Sequence, residues 1–307
     1  MRRLLTRWAQ ARHHLTKERS AAMTTEPVFD KLLLSVGAMK AGTTWLFDVL
    51  SRHPEVQFSY EKEIHYFYAA ALRPGLLADR ARMRRAKGYL AFDPERSAAP
   101  VLRRRVAWTA NWLAEPVDDA WFNGLFPQRS PHRWIADFSN LNVLLPSQSW
   151  RDLHDRTRKL RVVYTLREPM DRLWSHVRFH LKMQDKSHLL DEWSVDELFA
   201  HIQGGDYLEH TDYVAAINRM RAGLPLDCLH VDFYDRIVGD PRGFVADIER
   251  FLQIVPQTLP DDIVSRVVNP SPPRPMPAGL AERLAPFVDG QRSGLRALGL
   301  SLPPAWG

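Results

Sequence analysis

The apolar positions along the chain predict strands and helices in alternation. Three short apolar runs are typical of buried parallel strands, at 31–36, 159–166 and 226–233. After each run the apolar spacing becomes helical, over about 43–52, 170–183 and 241–252. This alternation predicts an α/β fold in which helices flank a central parallel sheet.

Two regions depart from that alternation. Between about residues 69 and 134 no strand pattern is present, and basic helical segments with several tryptophans predict a helical insertion beside the sheet. The proline-rich segment 269–277 cannot form regular helix, and the remaining C-terminal residues predict an amphipathic helix and a tail. We expect one domain over 27–307, preceded by a flexible leader over 1–26.

The composition of the chain indicates the cellular compartment in which we expect it. The 307 residues are 45% hydrophobic and 25% charged, which is ordinary for a globular protein. No run of about 18 apolar residues is present, so the sequence predicts no membrane span. Cys228 is the single cysteine, which excludes an intramolecular disulfide and favours a reducing compartment, the cytoplasm.

The positive charge is concentrated at the N-terminus. The chain carries a net charge of +6, and residues 1–22 hold six basic side chains against one acid. The rest is therefore close to neutral, which argues against general nucleic-acid binding. Two interpretations of the leader are open. It is either a peripheral contact with the inner membrane or a targeting peptide, or it is a disordered tail upstream of a start at Met23.

The first candidate chemistry lies in the loop GAMKAGTTW, which follows the first predicted strand. Gly37 and Gly42 have the spacing of a nucleotide-binding phosphate loop, but Thr43 follows the second glycine and the lysine is Lys40. A strand, a glycine turn and a helix start together form an anion site. The alternative is a glycine turn without a ligand.

A nucleotide kinase is an alternative interpretation of this loop. Such an enzyme places lysine directly before the Ser or Thr and uses a strand-end Asp to help hold Mg²⁺. The second predicted strand ends in Arg167, whereas the third carries Asp232. The displaced lysine argues against a P-loop small-molecule kinase, although Asp232 leaves that alternative open.

A second candidate anion site follows the second predicted strand. Arg167 stands at the strand end and Ser175 lies on the next helix. The forked guanidinium of Arg167 suits phosphate oxygens, and ligands bind at the carboxyl edge of parallel sheets. The alternative is that Arg167 pairs with Asp171 or Glu168 and that Ser175 has no ligand.

The two motifs together, G-x-x-K-x-G-T-T-W and then L-R-x-P-x-x-R-x-x-S, resemble the sulfotransferase family over roughly residues 31–255. The resemblance implies a P-loop-type three-layer fold and the donor 3′-phosphoadenosine 5′-phosphosulfate (PAPS). It implies that Arg167 and Ser175 bind the 3′-phosphate. It also implies a first-motif site for the 5′-phosphosulfate and adenine at Gly37, Lys40, Ala41, Gly42, Thr43, Thr44 and Trp45.

Trp45 and Lys40 have separate roles in the site that the resemblance implies. Trp45 matches an aromatic that packs on adenine in some members, but it also fits a core position of the first helix. Lys40 would stabilise charge on the bridging oxygen of the donor. Because a sulfuryl group carries less charge than a phosphoryl group, fixed donors and one lysine suffice, and we expect no metal.

The acceptor side begins at SYEKEIHYFY. Lys62, Glu63 and His65 reproduce a K-E-x-H stretch of the heparan-sulfate-like and bacterial carbohydrate branch. The resemblance implies that Glu63 is the general base, with His65 as the alternative base and Lys62 near the transferred sulfate. A carboxylate in a partly dry cleft has a raised pKa, which suits a base.

A further family segment is only partly kept. Asp137 and Ser139 stand where the family has Glu and Ser, and we expect them to bind the acceptor. The proline and tyrosine of that segment are absent from 136–142. Gly205-Asp-Tyr207 and the segment 233–241 match landmarks that shape the fold, which makes Asp232 a structural residue.

The sequence thus predicts a metal-independent sulfotransferase that acts on a hydroxyl or amine of a carbohydrate or glycolipid. The basic segments 80–87 and 102–105 either line a cleft for an anionic saccharide or form a solvated face. A kinase and a non-catalytic nucleotide-binding relative are the other hypotheses. The oligomeric state is left open by the sequence.

Overall fold

A sheet of five parallel strands lies at the centre of the protein. The computed structural model describes residues 26–93, 95–126, 133–264, 266 and 274–307. The strand order is β2-β3-β1-β4-β5, and every neighbouring pair is parallel. The strands are β1 (Phe29–Ser35), β2 (Val56–Phe58), β3 (Trp134–Asp137), β4 (Thr157–Leu166) and β5 (Leu229–Phe233).

The predicted strands correspond to β1, β4 and β5, so the parallel α/β sheet is confirmed. The third prediction began too early, because Leu226–Cys228 forms a 3-10 helix before β5. The sequence did not indicate β2 and β3, which have only three and four residues. Strands this short are below the length at which an apolar pattern becomes visible.

Helices follow the strands. In the described residues they are α1 (Thr43–Leu50), α2 (Tyr66–Leu72), α3 (Asp79–Leu90), α4 (Ala99–Trp112), α5 (Asp119–Gly124), α6 (Ser147–Asp155), α7 (Pro169–Met183), α8 (Leu189–Glu192), α9 (Val195–Gly204), α10 (Tyr213–Gly223), α11 (Tyr234–Gly239), α12 (Pro241–Leu252), α13 (Asp261–Val264) and α14 (Ala278–Ala297). The predicted insertion is confirmed as α2 to α5 between β2 and β3. Residues 1–25 of the leader and 269–273 of the proline-rich segment lie outside the described residues.

Both faces of the sheet are covered, which gives three layers. Leu32 and Leu34 of β1 belong to one hydrophobic cluster, whereas Leu33 belongs to another on the opposite face. The alternation explains why β1 reads as an unbroken apolar run, since both of its faces are buried. Of the described helices, none is both long enough and apolar enough to cross a bilayer.

Candidate active site

The candidate residues lie in loops that leave the carboxyl ends of the strands. Because all five strands are parallel, these ends meet at one edge of the sheet. The loop after β1 carries Lys40, the loop after β2 carries Glu63, the residue after β4 is Arg167, and β3 ends at Asp137. Four separate parts of the sequence therefore converge at this edge.

The loop after β1 is fixed to β4 by its backbone. The N–H of Ala38 donates to the carbonyl of Thr165 at 2.7 Å, and the N–H of Thr165 donates to the carbonyl of Gly37 at 2.9 Å. Gly42 has a φ of 83°, and a Cβ there would lie 2.8 Å from Cδ1 of Ile237. Gly42 is therefore required both by its left-handed backbone and by close packing.

Helix α1 opens towards this edge with its first turn uncapped. Within the described part of the chain no side chain caps the helix, and no acidic residue lies in its first turn. Thr43 and Thr44 are half-buried there, and Nζ of Lys62 donates to Oγ1 of Thr44 at 3.0 Å. Free backbone N–H groups, the helix dipole and this lysine together favour an anion.

Lys40 lies against helix α7. Its ammonium is 4.5 Å from the centroid of the Phe179 ring, and its carbonyl accepts a hydrogen bond from Nη1 of Arg167 at 3.3 Å. Burial lowers the pKa of Lys40, and the cations of Arg167, Arg178 and Lys182 lower it further. A group of positive charges that repel one another in this way would be stabilised by a multiply charged anion.

Arg167 is held at the end of β4. Its carbonyl accepts from the Tyr213 hydroxyl at 2.8 Å, and its guanidinium lies 5.3 Å from the centroid of the Tyr234 ring. The expected alternative partner, Asp171, is 3.6 Å away and largely exposed. A cavity of about 280 Å³ lies beside Arg167 and Tyr234. Arg167 therefore keeps donors near open space while it makes a weak ion pair.

Trp45 and Ser175 differ in exposure. Ser175 is half-buried on α7. Trp45 is only 5% exposed, packs edge-on against Phe244 at 6.2 Å, and donates from Nε1 to the carbonyl of Val264 at 3.2 Å. Its indole N–H is thus satisfied within the core. This arrangement favours the packing role of Trp45 over the adenine contact that the resemblance implied.

Glu63 is positioned by the backbone of the loop after β3. Its Oε2 accepts from the N–H of Asn140 at 2.9 Å and lies 3.7 Å from Nε2 of His65. Burial raises the pKa of Glu63, although the Asn140 N–H and the cations of Lys62 and Arg85 oppose the shift. The side chain remains 30% exposed, so a ligand can reach it.

Asp137 and Ser139 lie beneath this loop and not in contact with open space. The N–H of His65 donates to Oγ of Ser139 at 2.8 Å, and that hydroxyl donates to Asp137 at 2.7 Å. Their exposed fractions are 1% and 0%. We expected both to bind the acceptor, but their burial favours a positioning role in which they hold the Glu63–His65 loop. Burial raises the pKa of Asp137 to about 7.

His65 is a weaker base than its neighbour. Burial, assisted by the Arg85 cation, lowers the pKa of His65 to about 4, and its buried Nδ1 has no hydrogen-bond partner among the described residues. The imidazole is therefore neutral near pH 7 and binds a proton poorly. Glu63 shifts in the opposite direction, so this pair favours Glu63 as the proton acceptor.

Comparisons with known proteins identify the family and the fold. A model of the sulfotransferase family matches residues 33–257. The chain belongs to the sulfotransferase family. A sulfotransferase from Alicyclobacillus acidocaldarius has 22% identity and a TM-score of 0.61, over 89% of this chain and 97% of that one. The sulfotransferase domain of the Synechococcus PCC 7002 olefin synthase has 15% identity and a TM-score of 0.53, over 92% and 98%. These two structures share the fold.

The family assignment from the two anion motifs is thus confirmed, and the kinase alternative loses its support. In this sulfotransferase, Asp232 is 4% exposed and accepts hydrogen bonds from Nη1 of Arg236 at 2.8 Å and from the N–H of Phe233 at 2.7 Å. Its carboxylate is therefore committed to β5 and α11. This matches the structural role expected for it.

Metal independence stays a prediction. Among the described residues, His176, His180 and Asp206 form a group whose candidate ligand atoms lie within 4.8 Å of one another. Arg172 donates to Nδ1 of His176 at 3.3 Å, so a buried cation already lies beside this group. None of these residues belongs to the predicted donor site or base.

Sequence reasoning missed several residues of this sulfotransferase. Arg178 and Lys182 act electrostatically on Lys40, and they follow Ser175 by three and seven positions on α7, a helical spacing that was available from the sequence. Asn140 and Arg85 contact Glu63 through tertiary structure. Those two contacts had no local signal.

Proposed function

We propose that this sulfotransferase transfers the sulfuryl group of PAPS to a hydroxyl or amine of a carbohydrate or glycolipid. The observation that carries the proposal is the convergence of an uncapped helix start, two lysines and a partly buried glutamate at one sheet edge. The first two features suit a dianionic phosphosulfate, and the third suits removal of a proton.

On the donor side, each group would hold a different part of PAPS. The N–H groups of α1, with Thr43 and Thr44, would bind the 5′-phosphosulfate, and Lys62 already contacts Thr44. Arg167 and Ser175 would bind the 3′-phosphate. Lys40 would neutralise charge on the bridging oxygen, because its amine shares this region with Arg167.

On the acceptor side, Glu63 would take the proton of the acceptor hydroxyl. That oxygen forms a bond to sulfur while the bond from sulfur to the phosphate oxygen breaks, and the released nucleotide keeps the electron pair. The raised pKa of Glu63 supports its role as base. Asp137 and Ser139 would hold its loop from below.

A direct test is an acceptor screen with radiolabelled PAPS. We expect transfer to at least one carbohydrate or glycolipid, and we expect Lys40→Ala and Arg167→Ala to reduce it sharply. Arg52→Ala is a matched control, because Arg52 is exposed and lies outside the site. Unchanged kinetics in both site variants would contradict the donor assignment.

A binding comparison separates the other hypotheses. A sulfotransferase should bind 3′,5′-bisphosphoadenosine more tightly than Mg²⁺-ATP, whereas a kinase should show the reverse order. Tight binding of the bisphosphate without turnover on a broad acceptor panel would favour a non-catalytic relative. Activity that survives a chelator would support metal independence.

A further inference from the structure

The helical insertion has a charge unlike the rest of the chain. Residues 69–113 contain ten basic side chains and three acidic ones. This excess of seven is larger than the net charge of the whole protein, +6. The positive field of this sulfotransferase is therefore concentrated on the insertion as well as on the leader.

Helix α3 presents much of this charge in one exposed stripe. Arg80, Met83, Arg84, Lys87 and Leu90 are all exposed and follow helical spacing. Met83 is 61% exposed and Leu90 is 44% exposed. The stripe therefore combines cations with large apolar side chains that no part of the described chain covers.

Helix α4, which packs beside α3, carries further exposed cations and apolar side chains. It packs antiparallel to α3, because Arg82 donates to the carbonyl of Trp112 at 2.9 Å while the Tyr89 ring lies 4.7 Å from that of Trp108. Arg103 and Arg104 are exposed on α4. Of the 14 exposed large apolar residues in the described chain, seven lie within residues 69–113: Leu72, Met83, Leu90, Phe92, Val101, Val106 and Leu113.

We propose that the exposed face of α3 and α4 docks on an anionic lipid surface. Lys and Arg would meet lipid phosphates, while Met83, Leu90 and Phe92 would enter the interfacial region. A saccharide or a nucleic acid would use the cations but would leave the apolar side chains in water. The interleaving of both kinds of side chain therefore favours lipid.

The inner side of the same helix contacts the candidate base loop. Nη1 of Arg85 donates to the carbonyl of Glu63 at 2.7 Å, and the Tyr89 hydroxyl donates to the carbonyl of Tyr60 at 3.0 Å. A cavity of about 350 Å³ beside them is lined by Arg84 and Arg85. If the proposed function holds, docking would bring a lipid-borne acceptor close to Glu63. The docking itself does not depend on that function.

Cosedimentation of the full chain with vesicles tests the proposal. We expect binding to vesicles of phosphatidylglycerol mixed with phosphatidylcholine, little binding to phosphatidylcholine alone, and weakening by salt. Each basic residue near an anionic bilayer strengthens partitioning about fivefold. Arg80→Glu with Lys87→Glu should thus lower it at least about 25-fold, whereas the exposed control pair Arg52→Glu with Lys186→Glu should change it little.

The apolar contribution has its own variant. Met83→Ser should lower partitioning about three- to tenfold, and Leu226→Ser, which changes a residue 74% exposed on another part of the protein, should not. Thermal unfolding would confirm that all variants fold. Equal binding by both double variants would assign the interaction to the leader and overturn the proposal. Binding to soluble polyglutamate without binding to vesicles would also overturn it, in favour of an acidic macromolecular partner.

Discussion

The proposed donor side and the proposed acceptor side of the candidate site are built differently. On the donor side, backbone groups and cations lie near open space, and the cations of Lys40 and Arg167 repel each other. On the acceptor side, buried polar groups satisfy one another, as in the chain from His65 through Ser139 to Asp137. An anion would therefore stabilise the proposed donor side, whereas the proposed acceptor loop is held by its own hydrogen bonds.

This difference predicts that donor-side cations act in ligand binding, whereas buried acceptor-side groups position the base. Loss of a donor-side cation should weaken ligand binding and leave folding intact, since these groups have little to stabilise without an anion. Loss of a buried acceptor-side group should alter stability or the geometry of the base. Single substitutions on each side should therefore separate the two kinds of effect.

Glu63→Gln should reduce kcat about 10²–10⁴-fold, because a glutamine amide cannot act as the base that removes the proton of the substrate hydroxyl. Binding of 3′,5′-bisphosphoadenosine should change little. Since the pKa of Glu63 is raised above its usual value of 4.5, the acidic limb of the wild-type rate profile should lie above that pH. A larger loss in His65→Gln than in Glu63→Gln would identify His65 as the base instead.

Asp137→Asn should change how stability depends on pH. The pKa of Asp137 is about 7 when folded, against 3.8 in the free side chain. Its stabilising contribution is therefore complete below about pH 3.8 and lost as the pH rises through 7, by as much as about 4 kcal/mol. His65, with its lowered pKa, has the opposite dependence.

Denaturant unfolding at several pH values would isolate Asp137 as the difference between wild type and variant. The free energy of unfolding of wild type should fall relative to that of Asp137→Asn as the pH rises from 4 to 7. Parallel curves for the two proteins would show that Asp137 is not held as the neutral acid.

Arg167→Ala should weaken binding of 3′,5′-bisphosphoadenosine about 10- to 100-fold, the range expected for charged hydrogen bonds. The free energy of unfolding should change little, because the ion pair of Arg167 with the exposed Asp171 is weak. Calorimetric titration and thermal unfolding measure both quantities. A large loss of stability with unchanged binding would assign Arg167 to the fold.

Arg178→Ala should have the smallest effect, a loss of donor affinity of about three- to tenfold. Because the Arg178 cation lowers the pKa of Lys40, this variant should also raise that pKa. An NMR titration of lysine side chains, with Lys40→Arg used for assignment, measures the shift. No change in the Lys40 titration would place Arg178 outside the donor site.

The sequence was most informative where function depends on local backbone. The anion-binding loop from Gly37 to Thr44 could be predicted because its glycine spacing and a helix start lie within a few residues. The candidate anion site at the end of β4 could be predicted for the same reason, since Arg167 directly follows an apolar run. The fold class followed from the alternation of such runs.

The acceptor side was less predictable because its contacts join distant segments. Glu63 and Asn140 are 77 positions apart, and His65 and Ser139 are 74 apart. The resemblance to a family segment identified Asp137 and Ser139, but the sequence did not show that both are buried. Both interpretations of Trp45 were open for a related reason, since a buried tryptophan and a ligand-facing one follow the same helical spacing.

The bond between Lys62 and Thr44 has a consequence for the order of events in a catalytic cycle. Lys62 donates to the oxygen of Thr44, so the hydroxyl proton stays available to an anion at the start of α1, and that anion would also attract the Lys62 ammonium. Glu63 is the next residue in the chain, so a donor that attracts Lys62 would also act on the backbone that carries the proposed base. We therefore expect kinetics in which PAPS binds first, so that the acceptor meets an assembled base only on an enzyme already loaded with sulfate.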